Sequence, residues 1–214
     1  MTSLTAVEAA LRSLFPPEVA VAAERTRAPD IAALWPEERQ AIDGAVPHRL
    51  AEFAAGRTAA RRVLAALGHA PVALPMGPDR AALWPGGVSG AIAHDADLAV
   101  AVGRRGAPLG VDLEPDAPLE ETLWPIICAP DELGLLRGDP ARLVRRVFCA
   151  KEAVFKAQDP AHRALFGFEA VAVTLVEGGF NAQFRADVGC FRVGQVLTGR
   201  LTVVGSTVLA GVAW

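Results

Sequence analysis

The chain has 214 residues, 52% hydrophobic and 21% charged, with a net charge of −3. This composition builds a packed globular core and excludes an intrinsically disordered chain, and it gives no global basic field to attract nucleic acid. No apolar run is long enough to cross a membrane, and the start, "MTSLTAVEAALRSLF", holds an acid and no basic n-region, so it is not read as a signal peptide. Cys128, Cys149 and Cys190 are far apart and without metal-ligand spacing, so free thiols in a reducing cytoplasm are expected.

In chain order, residues 4–14 have helical spacing and Pro16-Pro17 ends them. Residues 18–24 read as a strand, and Trp35-Pro36-Glu37-Glu38 as a helix start. Pro47 suits the first position of a long helix over about 48–67, which Gly68 closes. The Pro- and Gly-rich stretch 71–87 is loop with room for one short strand. Residues 88–95, 98–103 and 109–114 read as strands, the last two as a hairpin. Loop with short helices over 115–138 precedes a helix at about 140–158. Strands are expected near 169–176, 180–186, 191–198 and 206–213. Each half places a long Arg-rich helix before strands.

Three constellations carry chemistry. In "GVDLEP", strand alternation turns Leu109, Val111 and Leu113 one way and Gly110, Asp112 and Glu114 the other. Two same-face carboxylates can share a hard divalent cation; taken alone, they also suit a solvated edge strand. In "RRVFCAKEAVFKA", Lys151 falls inside the apolar arc of the helix, with Glu152 and Lys156 one turn apart at its edge. A lysine in an apolar arc calls for an anion nearby, although it can also snorkel to water. In "HRLAEFAAGRTAARRVLAALG", the spacing puts Arg57 in an apolar seam, with Arg49 on a nearby face. Such an arginine binds either a phosphate or a buried acid. His94 ends the strand "GAIAH".

"GVDLEP" followed 40 residues on by "FCAKEAVFKA" resembles the motif pair of 4′-phosphopantetheinyl transferases. The upstream "EFAAGRTAARRVLAALG" and "LWPGGVSGAIAHD" are similar to the branch that serves siderophore and nonribosomal peptide synthetases. The resemblance covers residues 47–158. It implies an α+β fold of two similar lobes related by a pseudo-twofold, 1–111 and 112–214, with coenzyme A in the cleft between them. It implies that Asp112, Glu114 and Glu152 hold Mg²⁺, with Mn²⁺ as the alternative. Glu152, Lys156 and Asp112 would be catalytic, and Arg49, Arg57, His94, Lys151 and Lys156 would bind coenzyme A. The partner would be an apo peptidyl, aryl or acyl carrier protein, and the chain a cytoplasmic monomer; at a net charge of −3 docking calls for a local patch, with Arg142, Arg145 and Arg146 or an exposed apolar spot in 116–138 as the candidates. Gly110 is expected to let the ligand approach the strand. A non-catalytic coenzyme A- or carrier-binding module is the alternative. Two departures bear on coenzyme A: Ala93 stands where relatives often carry a hydroxyl, and Met76 where some carry a basic residue, for which Arg80 is the nearby substitute.

Overall fold

The computed structural model describes residues 2–158 and 163–214. It is a mixed α+β fold with two antiparallel sheets. Helix α1 spans Leu4–Leu14, and the Ser3 side chain caps it by accepting from the Ala6 amide at 3.1 Å. Strand β1 is Ala20–Arg25, and the short α2 is Pro36–Arg39. Helix α3, Pro47–Ala66, begins at its proline, and Gly68 follows in the left-handed region at φ +78°. Strands β2 (Val88–His94) and β3 (Leu98–Arg105) complete a three-stranded sheet of order β1-β3-β2.

Strand β4 (Leu109–Pro115) opens the second sheet. The short helices α4 (Trp124–Ile127) and α5 (Pro130–Leu135) lead to α6, Pro140–Lys156, which Asp139 caps through the Ala141 amide. Strands β5 (Val171–Val176), β6 (Gly179–Phe184), β7 (Val196–Val204) and β8 (Thr207–Ala213) follow, in the order β4-β8-β7-β6-β5.

The expected hairpin of 98–103 with 109–114 does not form. β3 pairs with β1 and β2, whereas β4 pairs along its whole length with β8. The chain therefore changes sheets between Arg105 and Leu109, and the boundary expected after residue 111 falls inside β4. A second difference lies near the C-terminus. The strand expected at 191–198 begins instead at Val196. Phe191 is buried from a local bridge with Val188 and stacks on Phe184 at 4.2 Å, so its apolar character reflects core packing rather than a strand.

The two faces of β4 divide as alternation requires. Leu109, Val111 and Leu113 join Val7, Leu11 and Leu14 of α1 and Leu209 of β8 in one core. The other face lies under α6. A Cβ on Gly110 would sit 2.0 Å from the Ala153 carbonyl oxygen and 2.7 Å from the Ala157 nitrogen. The expectation that a ligand approaches at Gly110 is thus corrected: the backbone of α6 fills that space.

Candidate active site

With α6 seated on Gly110 and running antiparallel to β4, acids on the strand meet bases on the helix. Lys156 donates to Asp112 Oδ1, Arg145 to Glu114 Oε2 at 2.9 Å, and Arg142 and Arg146 both reach Asp116. Asp112 is 5% exposed, and its second oxygen, Oδ2, is buried without a hydrogen-bond partner. Burial raises the Asp112 carboxyl above its ordinary range against the pull of Lys156. Burial, then repulsion from Asp112, pushes Glu114 up to about 7. Glu152, one turn before Lys156, is also raised, first by burial; Lys156 opposes this and Asp112 adds to it.

The first half contributes cations to the same region. Arg49 on α3 donates to His94 Nε2 at 2.7 Å, and Glu52 lies 3.5 Å from His94 Nδ1. Burial, then the Arg49 guanidinium, pushes the imidazole down to about 4, so it is neutral near pH 7. Arg57 is 5% exposed; its Nε donates to the Leu74 carbonyl at 2.6 Å and its guanidinium lies over the Phe53 ring at 4.0 Å. Burial lowers its pKa to about 10, which leaves it charged. Arg49, Arg57 and His94 line one cavity of about 270 Å³ together with Glu152 and Lys156. A smaller aromatic cavity of about 180 Å³, walled by Phe155, Phe166 and Phe168, lies beside it and shares Glu152.

Residues 37–103 match the family model of the 4′-phosphopantetheinyl transferase N-terminal domain, and residues 108–197 that of the 4′-phosphopantetheinyl transferase superfamily. The 4′-phosphopantetheinyl transferase Npt of Nocardia iowensis is 36% identical over 163 residues, 73% of each protein. The chain belongs to the 4′-phosphopantetheinyl transferase superfamily. The transferase Svp of Streptomyces mobaraensis is 41% identical over 145 residues, 63% of this chain and 59% of Svp. Enterobactin synthase component D of Salmonella typhimurium is 36% identical over 146 residues, 66% of this chain and 61% of that protein. The chain thus spans about three fifths of the latter two relatives.

Against the expectations, one predicted binding residue and the docking patch are engaged elsewhere. Lys151 is not presented to the large cavity. It is 3% exposed, and its ammonium donates to Glu132 and to the Ile127 and Phe168 carbonyls at 2.7–3.0 Å, which uses all three protons. The anion that its apolar setting demands is Glu132, which also accepts from the Val173 amide. The Arg142, Arg145 and Arg146 patch is likewise occupied, being paired with Asp116 and Glu114.

The three carboxylates of the expected metal site are not drawn into one cage. Among the described residues no group of three or more His, Cys, Asp or Glu side chains is gathered closely enough to hold a metal, because Asp112 and Glu114 each turn to their own base. The chemistry of the donor set nevertheless fits a hard cation. All are oxygen donors, Asp112 keeps an unpartnered buried oxygen, and Asp112 raises the pKa of both Glu114 and Glu152.

Sequence reasoning missed Glu52, Trp84, Asp79 and Arg163 as wall residues of the large cavity. Glu52 was accessible through its three-residue spacing from Arg49. Gly90 inside a strand pattern marks a close approach, but only the structure shows that Trp84 makes it, its indole 2.3 Å from where a Cβ would sit. Asp79 and Arg163 lie in loops that carry no periodicity.

Proposed function

We propose that this chain transfers the 4′-phosphopantetheine arm of coenzyme A to a serine of an apo peptidyl, aryl or acyl carrier protein, releasing adenosine 3′,5′-bisphosphate. The observation that carries the reading is the shared cavity, with Arg49, Arg57 and His94 from the first half and Glu152 and Lys156 from the second. An anionic ligand with phosphates at separated positions suits that distribution of cations.

In this reading Arg57 and Arg49 hold the 3′-phosphate end, and His94, beside Arg49, contacts the same phosphate. Lys156 turns its ammonium to the pyrophosphate and opposes the charge that grows as the bond breaks. Glu152, whose carboxyl burial holds above the ordinary carboxylate range and so makes a stronger base, takes the proton from the carrier serine. The serine oxygen forms a bond to the β-phosphorus as the bond to the bridging oxygen breaks, and that oxygen leaves with the nucleotide. Asp112, Glu114 and Glu152 are the residues that would hold Mg²⁺ or Mn²⁺. When bound there, the ion neutralises pyrophosphate charge. The buried, unpartnered Asp112 oxygen favours this reading over a coenzyme A-binding module, which has no need for the acids. A cytoplasmic setting and a monomer belong to the same proposal.

The test is intact-mass spectrometry of an apo carrier incubated with the chain, coenzyme A and Mg²⁺. A gain of about 340 Da that disappears with EDTA or in Glu152→Gln is expected from transfer of the arm. Tight coenzyme A binding with no gain across a panel of carriers would instead establish the binding module.

A further inference from the structure

The rim of the large cavity holds an ion pair that joins segments far apart in the chain. Asp79 lies in a tight turn after β-bridge residue Met76, and Arg163 lies beyond the end of α6. Arg163 Nη1 donates to Asp79 Oδ2 at 2.8 Å. Both side chains line the cavity and are also partly exposed, 34% for Asp79 and 22% for Arg163, which puts the pair at the mouth.

The turn is built to hold Asp79 there. Its other oxygen accepts from the Ala81 amide at 3.1 Å, while the Gly77 amide donates to the Ala81 carbonyl and the Arg80 amide to the Gly77 carbonyl. Arg80, next to Asp79, is the one non-glycine residue among those described with a positive φ, +66°, a conformation that L residues adopt at a cost. A turn kept in that conformation at a cavity mouth, and tied across it, is a fixed strap rather than a slack loop.

We propose that the Asp79–Arg163 pair is a clasp across the mouth of the cavity, opened to admit coenzyme A and reclosed over it, so that it sets how long the ligand stays. The inference rests on the reading of the cavity as a coenzyme A site. Its residues act on retention and not on the reacting atoms.

Surface plasmon resonance with the full chain, Mg²⁺ and coenzyme A tests it. Asp79→Asn and Arg163→Gln should each speed dissociation about threefold to fivefold, the range open to a partly exposed ion pair. The double variant should be no faster than either single, because both remove one interaction. Unchanged dissociation rates, or effects that multiply in the double variant, would overturn the clasp. So would an effect of Arg163→Gln without one of Asp79→Asn, which would make Arg163 a ligand contact. If the wild type shows no saturable coenzyme A binding, the coenzyme A reading and the clasp both fall. Normal wild-type binding with unaltered variants removes the clasp alone.

Discussion

At the scale of residues, two cations in apolar settings show how far a single side chain can be interpreted. Arg57 and Lys151 gave the same signal, a charge inside an apolar stripe. Arg57 does line the large cavity, whereas Lys151 is sealed against Glu132. The difference was illegible because Glu132 sits on the short helix α5, too brief for any periodicity to announce what it packs against. Lys151→Ala should therefore destabilise the fold by about 3–5 kcal/mol, since it strands a buried carboxylate. The folded fraction should keep its coenzyme A affinity, which urea unfolding and calorimetry can check; a selective loss of affinity would return Lys151 to the binding site. His94 behaves differently. In the ligand-free chain it is held neutral by burial and by Arg49. A phosphate beside it favours the protonated ring and raises its pKa. Binding should then take up a proton at pH values between about 4 and the new, higher pKa, so affinity should fall as pH rises through that window. Calorimetry near about pH 6 in buffers of different ionisation enthalpy measures that uptake. Proton uptake that persists in His94→Ala would assign it to another group.

Among the elements, α6 on β4 is the arrangement that positions the chemistry. The alternation of β4 and the apolar arc of α6 were legible in the sequence, because periods of 2 and 3.6 are local properties. Their contact was not, and neither was the partner of β4, which is β8, nearly a hundred residues later. The mistaken hairpin has the same origin: β3 prefers β1 and β2, and pairing choices are tertiary. Gly110 is where this contact is most easily broken. In Gly110→Ala the new methyl group meets the Ala153 carbonyl, so α6 must lift. Overpacking of this kind costs about 1–3 kcal/mol, and occasionally more. Because Glu152 and Lys156 ride on α6, a shift of about 1 Å should also cost roughly 100-fold in turnover. Gly134→Ala is the control, since a Cβ there meets nothing within 4 Å. It should leave both stability and turnover near the wild type; equal damage from the two substitutions would remove the special role of Gly110.

Over the whole molecule, the cavity takes its walls from both halves, and this makes ligand binding and global stability one measurement. Arg49 comes from α3 and Lys156 from the end of α6, and neither half alone lines the site. A ligand that binds only the assembled cavity stabilises the folded chain by mass action, about 2.7 kcal/mol at a hundredfold excess over Kd. For a chain of this size that corresponds to a Tm rise of about 5–10 °C. If the ligand spans the cavity, Arg49→Ala and Lys156→Met should each diminish the rise, every variant being compared with its own ligand-free Tm. That reference matters for Lys156→Met, which leaves the buried Asp112 carboxylate without its partner and lowers the starting Tm. Differential scanning fluorimetry with coenzyme A and with 3′-dephospho-coenzyme A separates the two ends. Loss of the 3′-phosphate should mimic Arg49→Ala and add nothing to it, while Lys156→Met should weaken both ligands alike. A Tm rise that survives Lys156→Met undiminished would confine the ligand to the first half. It would also detach Lys156 and Glu152 from the pyrophosphate, on which the transfer reading depends.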